Sequence, residues 1–246
     1  MDLDLKRKVF IITGGAKGIG EAITRLLASE GAIPIIIDRD KKSGEKLSEN
    51  LKNQGLECRF IDLDIWSPEN CKIAIERSYD LFNQVDGLIN NVGVNDCIGL
   101  EKGNPKSYRR SLAKNLFHFY DMTHYCIPHL KKSRGVIINI SSKTAVTGQG
   151  GTSGYTSAKG GVLSLTREWA VELLKYGIRV NAIVPAEVMT PLYESWLSTF
   201  DNPKEKLKEI TDLIPLGNRM TAPDEIANVV VFLLSNRASH ITGQHI

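Results

Sequence analysis

The 246-residue chain predicts an α/β protein, a single domain built on a doubly wound parallel sheet with helices on both faces. Three observations carry this reading. Short runs rich in Val and Ile alternate with longer stretches of helical period along nearly the whole chain. The apolar runs are almost uninterrupted, as expected of strands buried on both sides. No linker, repeat or shift in charge divides the sequence, and strand and helix alternating at this spacing imply right-handed crossovers.

The elements follow in order. "KVFIIT" opens the sheet and leads to a helical stretch over 18–30. "IPIIID" precedes a helix over 41–54, and "CRFID" one over 68–82 that begins at the start signal "SPEN". "GLIN" leads to 105–130, "GVIINI" to 154–175, and "RVNAIV" toward a closing helix over 223–234. Before that closing helix, residues 190–214 read as a helical excursion over the carboxyl edge of the sheet, placed to act as a substrate lid.

Composition excludes several classes of function. A hydrophobic share of 42% and a charged share of 24% are those of an ordinary globular protein. The net charge of +3, from dispersed Lys and Arg, gives no nucleic-acid footprint. The apolar run at residues 9–12 is too short for a signal-peptide core or a membrane span, so a cytoplasmic protein without a membrane partner is expected. Cys58, Cys71, Cys97 and Cys126 show no C-x-x-C spacing, so no metal site and no disulfide framework is expected.

"TGGAKGIG" follows the first strand and opens the first helix. Gly14 suits a tight turn, Gly18 lets backbone approach a phosphate, and Gly20 permits close packing. With Lys17 and Ile19 in the same loop, the free N–H groups of the helix start would face a pyrophosphate. No Gly-Lys-Ser/Thr closes the loop, which argues against a nucleotide triphosphatase. Asp38 ends the second strand about twenty residues on, where a carboxylate binds an adenosine ribose. Its repulsion of a 2′-phosphate, about 4 kcal/mol per unit charge at ~4 Å and an effective dielectric of ~20, favours NAD over NADP. Lys17 and Arg39 are nearby cations that would soften this, although a solvated role for Arg39 competes. Asp64 and Ile65, after the third strand, would meet the adenine, beside a plain helix-start role for the "SPEN" that follows.

Tyr155 and Lys159 stand at i and i+4 on a helix whose Ala158, Val162, Leu165, Trp169 and Leu173 keep helical spacing. An adjacent ammonium stabilises a phenolate, and the pair would move a proton to or from an alcohol oxygen. Y-x-x-x-K alone is common. Here it lies downstream of "INISS", a buried strand that ends in Ser141 and Ser142 at the carboxyl edge.

Together with "TGGAKGIG" and "NNVG", these motifs resemble the short-chain dehydrogenase/reductase family across essentially the whole chain. The resemblance implies a Rossmann-type fold and a role for each matching position. Ser142 would polarise the substrate, Tyr155 would be the general acid/base, and Lys159 would lower its pKa while holding the nicotinamide ribose. Asn115, in "KNLF", would position a water of the proton relay. Asn91 and Gly93 would lie against the cofactor, and Val188 and Thr190 would meet the nicotinamide carboxamide. The family is usually a tetramer or dimer through the helices carrying Asn115 and Tyr155, so a homo-oligomer is expected. It also continues past "HITGQHI" through a last strand, which is expected to be missing from the given chain. Val92 and Ala186 depart from the family pattern by small apolar changes that would reshape the pocket.

"NNVGVNDCIGL", "HYCIPHLK", "SSKTAVTGQGGTSGY" and "PAEVMTPLYESW" further resemble bacterial L-fucose dehydrogenases, which oxidise the anomeric carbon of a sugar to a lactone. A sugar needs several polar partners, and Asn95, Lys143, Gln149 and Glu187 lie on loops at the carboxyl edge, with Trp196 in the lid. A solvated role is as strong for any one of them. Two rivals stand beside this reading. A hydroxysteroid or 3-oxoacyl substrate would need an apolar pocket, which Leu192, Tyr193, Trp196 and Leu197 would line. A non-catalytic dinucleotide-binding regulator would have no need of Asn115, Ser142, Tyr155 and Lys159 together.

Overall fold

Branched side chains pack well on a pleated surface, and each Val- and Ile-rich run forms a strand. The computed structural model describes residues 2–246. Its strands are β1 (Val9–Thr13), β2 (Ile33–Asp38), β3 (Arg59–Asp62), β4 (Gly87–Asn90), β5 (Val136–Ile140) and β6 (Arg179–Ile183). They pair in parallel in the order β3-β2-β1-β4-β5-β6. The order reverses between β1 and β4, the point at which such sheets open a crevice at their carboxyl ends.

The helices are α1 (Gly18–Ser29), α2 (Lys41–Asn53), α3 (Pro68–Phe82), α4 (Pro105–Leu112), α5 (His118–Ser133), α6 (Ser153–Glu172), α7 (Pro191–Leu197), α8 (Pro203–Asp212) and α9 (Pro223–Leu234). Strand alternation divides the core between two faces. Ile11, Ile35, Leu88, Ile137 and Val180 pack with Ile75, Phe119, Met122, Val162 and Trp169 of α3, α5 and α6. Phe10, Ile12, Ile89 and Ile138 pack with Ile23 and Leu27 of α1 and Val230 and Leu234 of α9. Ile36 meets Leu47 and Leu51 of α2. Each fully buried side chain of this kind contributes about 1.5–3 kcal/mol of transfer free energy.

The continuous helix expected over 105–130 is broken. A π-helical segment, Ala113–Phe117, separates α4 from α5, and α5 runs on to Ser133 through Pro128. The cause is Asn115, whose side-chain oxygen accepts from Val94 N–H at 2.7 Å while its amide donates to the Ser111 carbonyl at 3.1 Å. Such single-turn π segments recur at functional sites. The stretch 190–214 forms α7 and α8, each with Pro in its first turn and capped by Thr190 and Asn202. At the C-terminal end, Gly243 N–H donates to Val180 O, and Ile246 N–H to Ala182 O. An isolated parallel bridge pairs Ala182 of β6 with His245.

Cys58, Cys71 and Cys126 are buried and Cys97 is exposed. Burial pushes the Cys58 and Cys71 thiols up to about 12, which makes them poor nucleophiles. Among the described residues no helix is long and apolar enough to cross a membrane, and no three His, Cys, Asp or Glu side chains cluster to hold a metal.

A polar ladder crosses the core beneath the crevice. Asn90 donates to Thr123 of α5 at 3.1 Å and to the Asn139 oxygen at 3.0 Å, and Asn139 donates to Thr166 of α6 at 2.9 Å. It links the helix that follows Asn115 to the helix that carries Tyr155 and Lys159. Asn139→Ala strips an acceptor from Asn90 and a donor from Thr166 and is expected to cost about 2–4 kcal/mol. Urea unfolding measures this, and a loss below about 0.5 kcal/mol would show that the ladder bears no stability.

Candidate active site

The carboxyl ends of the strands open into a cleft of about 400 Å³. At one end lies the glycine turn. Gly14 and Gly18 have φ of +63° and +55°, which favours glycine. A side chain at Gly20 would strike the Gly14 carbonyl and lie 2.8 Å from the Asn91 amide. Gly20 therefore acts sterically, beneath the cleft rather than in its wall. Asp40, Ser67 and Asn104 cap α2, α3 and α4 with their side chains, whereas α1 follows Lys17 with no side-chain cap. Its first N–H groups are left for an anion beside Gly14, Lys17, Gly18 and Ile19, all in the cleft wall.

Asp38 lines the same cleft and steadies the turn, accepting from Ala16 N–H at 3.2 Å and from Asp40 N–H at 2.9 Å. Lys17 is turned away from it and pairs with Asp40, holding that carboxyl down to about 2. Arg39 pairs with Asp64 at 3.5 Å and lies 5.1 Å over the Trp66 ring. Both cations expected to soften Asp38 are thus committed to other carboxylates. Asn91 donates to the carbonyls of Thr13 and Gly14 at 3.1 Å and so braces the turn. Asp64, Ile65, Gly93, Val188 and Thr190 also line the cleft.

Ser142, Tyr155 and Lys159 meet at the inner end. Ser141 ties strand to helix by donating to the Lys159 carbonyl at 2.8 Å. Lys159 is buried, its ammonium donates to Ile140 O at 2.8 Å, and it lies 4.9 Å over Phe119 and 5.7 Å from the Tyr155 ring. Burial pushes it down to about 7. The net direction for the Tyr155 phenol is upward, with burial the larger cause and the Ser142 hydrogen bond opposing it. Tyr155 also sits in the first turn of α6, where the helix dipole favours an anion. Asn115 is buried behind the cleft, anchoring the loop after β4, and reaches the wall only through its neighbour Lys114.

Residues 141–161 are anchored along their length. Lys143 N–H donates to Pro185 O, residues Lys143–Ala145 form a 3-10 turn, and Gly154 N–H donates to Ile98 O. Gly150 and Gly151, with φ of +80° and +67°, turn the chain between these anchors.

The expected substrate contacts fare differently. Asn95, Lys143, Gln149, Glu187 and Trp196 stand outside the wall of the cleft. Asn95 accepts from Cys97 N–H, Gln149 is exposed, and Trp196 is edge-on to Tyr193 and Phe200 at 5.1 and 4.9 Å. Leu197 is buried, so of the four residues assigned to an apolar pocket only Leu192 and Tyr193 face the cleft. Trp66 and Lys114 line it unforeseen. Their signal was proximity, two residues after Asp64 and one before Asn115.

These features define a dinucleotide-dependent oxidoreductase site. A sequence model of the family described as enoyl-(acyl carrier protein) reductase matches residues 14–246. The chain belongs to the short-chain dehydrogenase/reductase family. It is 35% identical over 237 residues to L-fucose dehydrogenase of Mus musculus, covering 96% of this chain and 85% of that protein. The crystal structure of Cj0485 dehydrogenase superposes with a TM-score of 0.94 at 48% identity, over 100% of this chain and 94% of that one. L-Sorbose reductase from Gluconobacter frateurii, complexed with NADPH and L-sorbose, gives 0.95 at 27% identity, over 100% and 96%.

Lys159 generates a stability prediction. Its folded value of about 7 lies below the ordinary 10.5. Between those values the unfolded chain holds the extra proton, so stability rises with pH from about 7 to about 10, and the full cost is present below 7. Lys159→Met removes that cost and loses one hydrogen bond to Ile140, leaving the protein about 1–3 kcal/mol more stable at neutral pH. Urea unfolding across pH 7–10 should show the gain and a flattened slope. A variant less stable than the parent, with the parent's slope, contradicts the burial cost.

Proposed function

We propose that this protein is a cytoplasmic NAD-dependent dehydrogenase that oxidises C1 of L-fucose or a related aldose to the lactone. The observation that carries the reading is the convergence of Ser142, Tyr155 and Lys159 at the inner end of a cleft whose other end is the uncapped start of α1. The similarity to L-fucose dehydrogenase supports the choice of sugar.

The glycine turn and α1 suit a pyrophosphate, because Gly18 brings bare backbone to the wall and the α1 N–H groups are free of side-chain caps. Asp38 would take the adenosine ribose, Asp64 and Ile65 the adenine, and Asn91, Gly93, Val188 and Thr190 the nicotinamide half. Bound dinucleotide supplies the hydride acceptor. Ser142 would hold the C1 oxygen, and Tyr155, as a phenolate, would take the proton of the C1 hydroxyl. Lys159, with a value near neutrality, would hold the ribose and pass the proton on toward the Asn115 loop. Proximity of the two reactants contributes much of the acceleration.

A hydroxysteroid or 3-oxoacyl substrate is the rival reading, favoured by the description of the matched family. A non-catalytic regulator would leave the convergence of Ser142, Tyr155 and Lys159 without a purpose. Assembly into a dimer or tetramer belongs to the same reading. Phe117 at the start of α5, Tyr120 on α5 and Val171 on α6 are exposed apolar residues.

Steady-state NAD reduction against L-fucose, L-galactose, D-arabinose, a hydroxysteroid and a 3-hydroxyacyl thioester tests the proposal. L-Fucose is expected to lead, and Tyr155→Phe to lower its turnover at least 10³-fold with dinucleotide affinity kept; exclusive turnover of the steroid or thioester would overturn the sugar assignment. Asp38→Ser should raise NADP affinity at least tenfold, by relieving like-charge repulsion. Isothermal titration with both cofactors reads this, and an unchanged NADP affinity removes Asp38 as the selector.

A further inference from the structure

Tyr193 donates its phenolic proton to Glu187 Oε2 at 2.9 Å. Glu187 Oε1 is in turn held by Lys143, the residue after Ser142. The trio joins the loop after β5, the loop after β6 and lid helix α7, although its members lie up to 50 positions apart. Lys143 and Glu187 are not part of the cleft wall, whereas Tyr193 is, together with Ser142, Tyr155 and Ala186. Burial and the Glu187 carboxylate both push the Tyr193 phenol upward, so it stays protonated.

A phenol has one proton to give. With that proton fixed on a carboxylate that has no proton of its own to offer, the Tyr193 oxygen can only accept from anything in the cleft. Keeping a partly buried ion pair behind it is costly, and an apolar pair of similar shape would serve the fold as well.

We propose that Tyr193 is a specificity-determining residue that accepts a hydrogen bond from a substrate hydroxyl near the reacting carbon, with Glu187 and Lys143 fixing its direction. The site therefore selects hydrogen-bond donors. A polyol supplies them, whereas a thioester carbonyl or a hydrocarbon face leaves Tyr193 desolvated and unpaired, the kind of mismatch that discriminates strongly. The inference rests on the proposed dehydrogenase reading and adds to it the residue that tells polyols from other alcohols.

The test compares L-fucose with its 2-deoxy and 3-deoxy analogues in the parent, Tyr193→Phe and Glu187→Gln proteins. Dinucleotide affinity and thermal unfolding verify that each variant is folded, and two variants guard against one failing to fold. Tyr193→Phe is expected to raise the KM for L-fucose about tenfold with a much smaller change in kcat. That penalty should vanish on the analogue lacking the hydroxyl that Tyr193 accepts from. Glu187→Gln, whose amide can donate to the phenol and turn its proton toward the cleft, should reproduce the loss on L-fucose. Equal penalties on L-fucose and both analogues, or an unchanged KM in both variants, overturn the assignment while leaving the dehydrogenase reading intact. A parent protein that oxidises no polyol removes both.

Discussion

The hydrogen bond from the Lys159 ammonium to the Ile140 carbonyl is the contact on which the site depends. It joins the end of β5 to the second turn of α6, and the return bond from Ser141 to the Lys159 carbonyl locks the same junction. Burying a lysine at this junction is unfavourable, as its fall to about 7 records. Its neighbours are shaped by it. A side chain at Gly93 would lie 2.9 Å from the ammonium, Phe119 offers its ring face, and buried His118 is held down to about 3 by burial and by the Lys159 charge. Strain of this sort persists only where the surroundings over-determine it, and it concentrates at functional sites.

The other half of the cleft is governed by a steric constraint. Gly20 must approach the Gly14 carbonyl, which aims the start of α1 into the crevice between β1 and β4. Asp38 and Asn91 brace this turn from either side through backbone hydrogen bonds. Asp38 braces the turn, and in the proposed reading it would also present negative charge where a ribose hydroxyl or a 2′-phosphate would have to sit.

Local pattern made most of the fold legible. Every strand lies within its Val- and Ile-rich run, because burial on both faces leaves little room for polar residues. The helices begin where Pro and capping residues place them, as at Ser67 and Pro68. What escaped notice depends on partners distant in sequence. The π segment exists because Asn115 reaches Val94, 21 residues away. Lys17 turns to Asp40 rather than Asp38, and Tyr193 gains its meaning from Glu187 and Lys143. Motif spacing marked Ser142, Tyr155 and Lys159, which the fold brings into one cleft wall, but not the burial that raises Tyr155 and lowers Lys159.

Titration of Lys159 by NMR, with the lysine side chains isotopically labelled, probes the buried junction itself. A transition near 7 is expected for one resonance that is absent from Lys159→Met. Its shift on adding NAD would place the dinucleotide against this ammonium. A Lys159 resonance titrating near the ordinary 10.5 and indifferent to NAD would contradict both the buried junction and the site built on it.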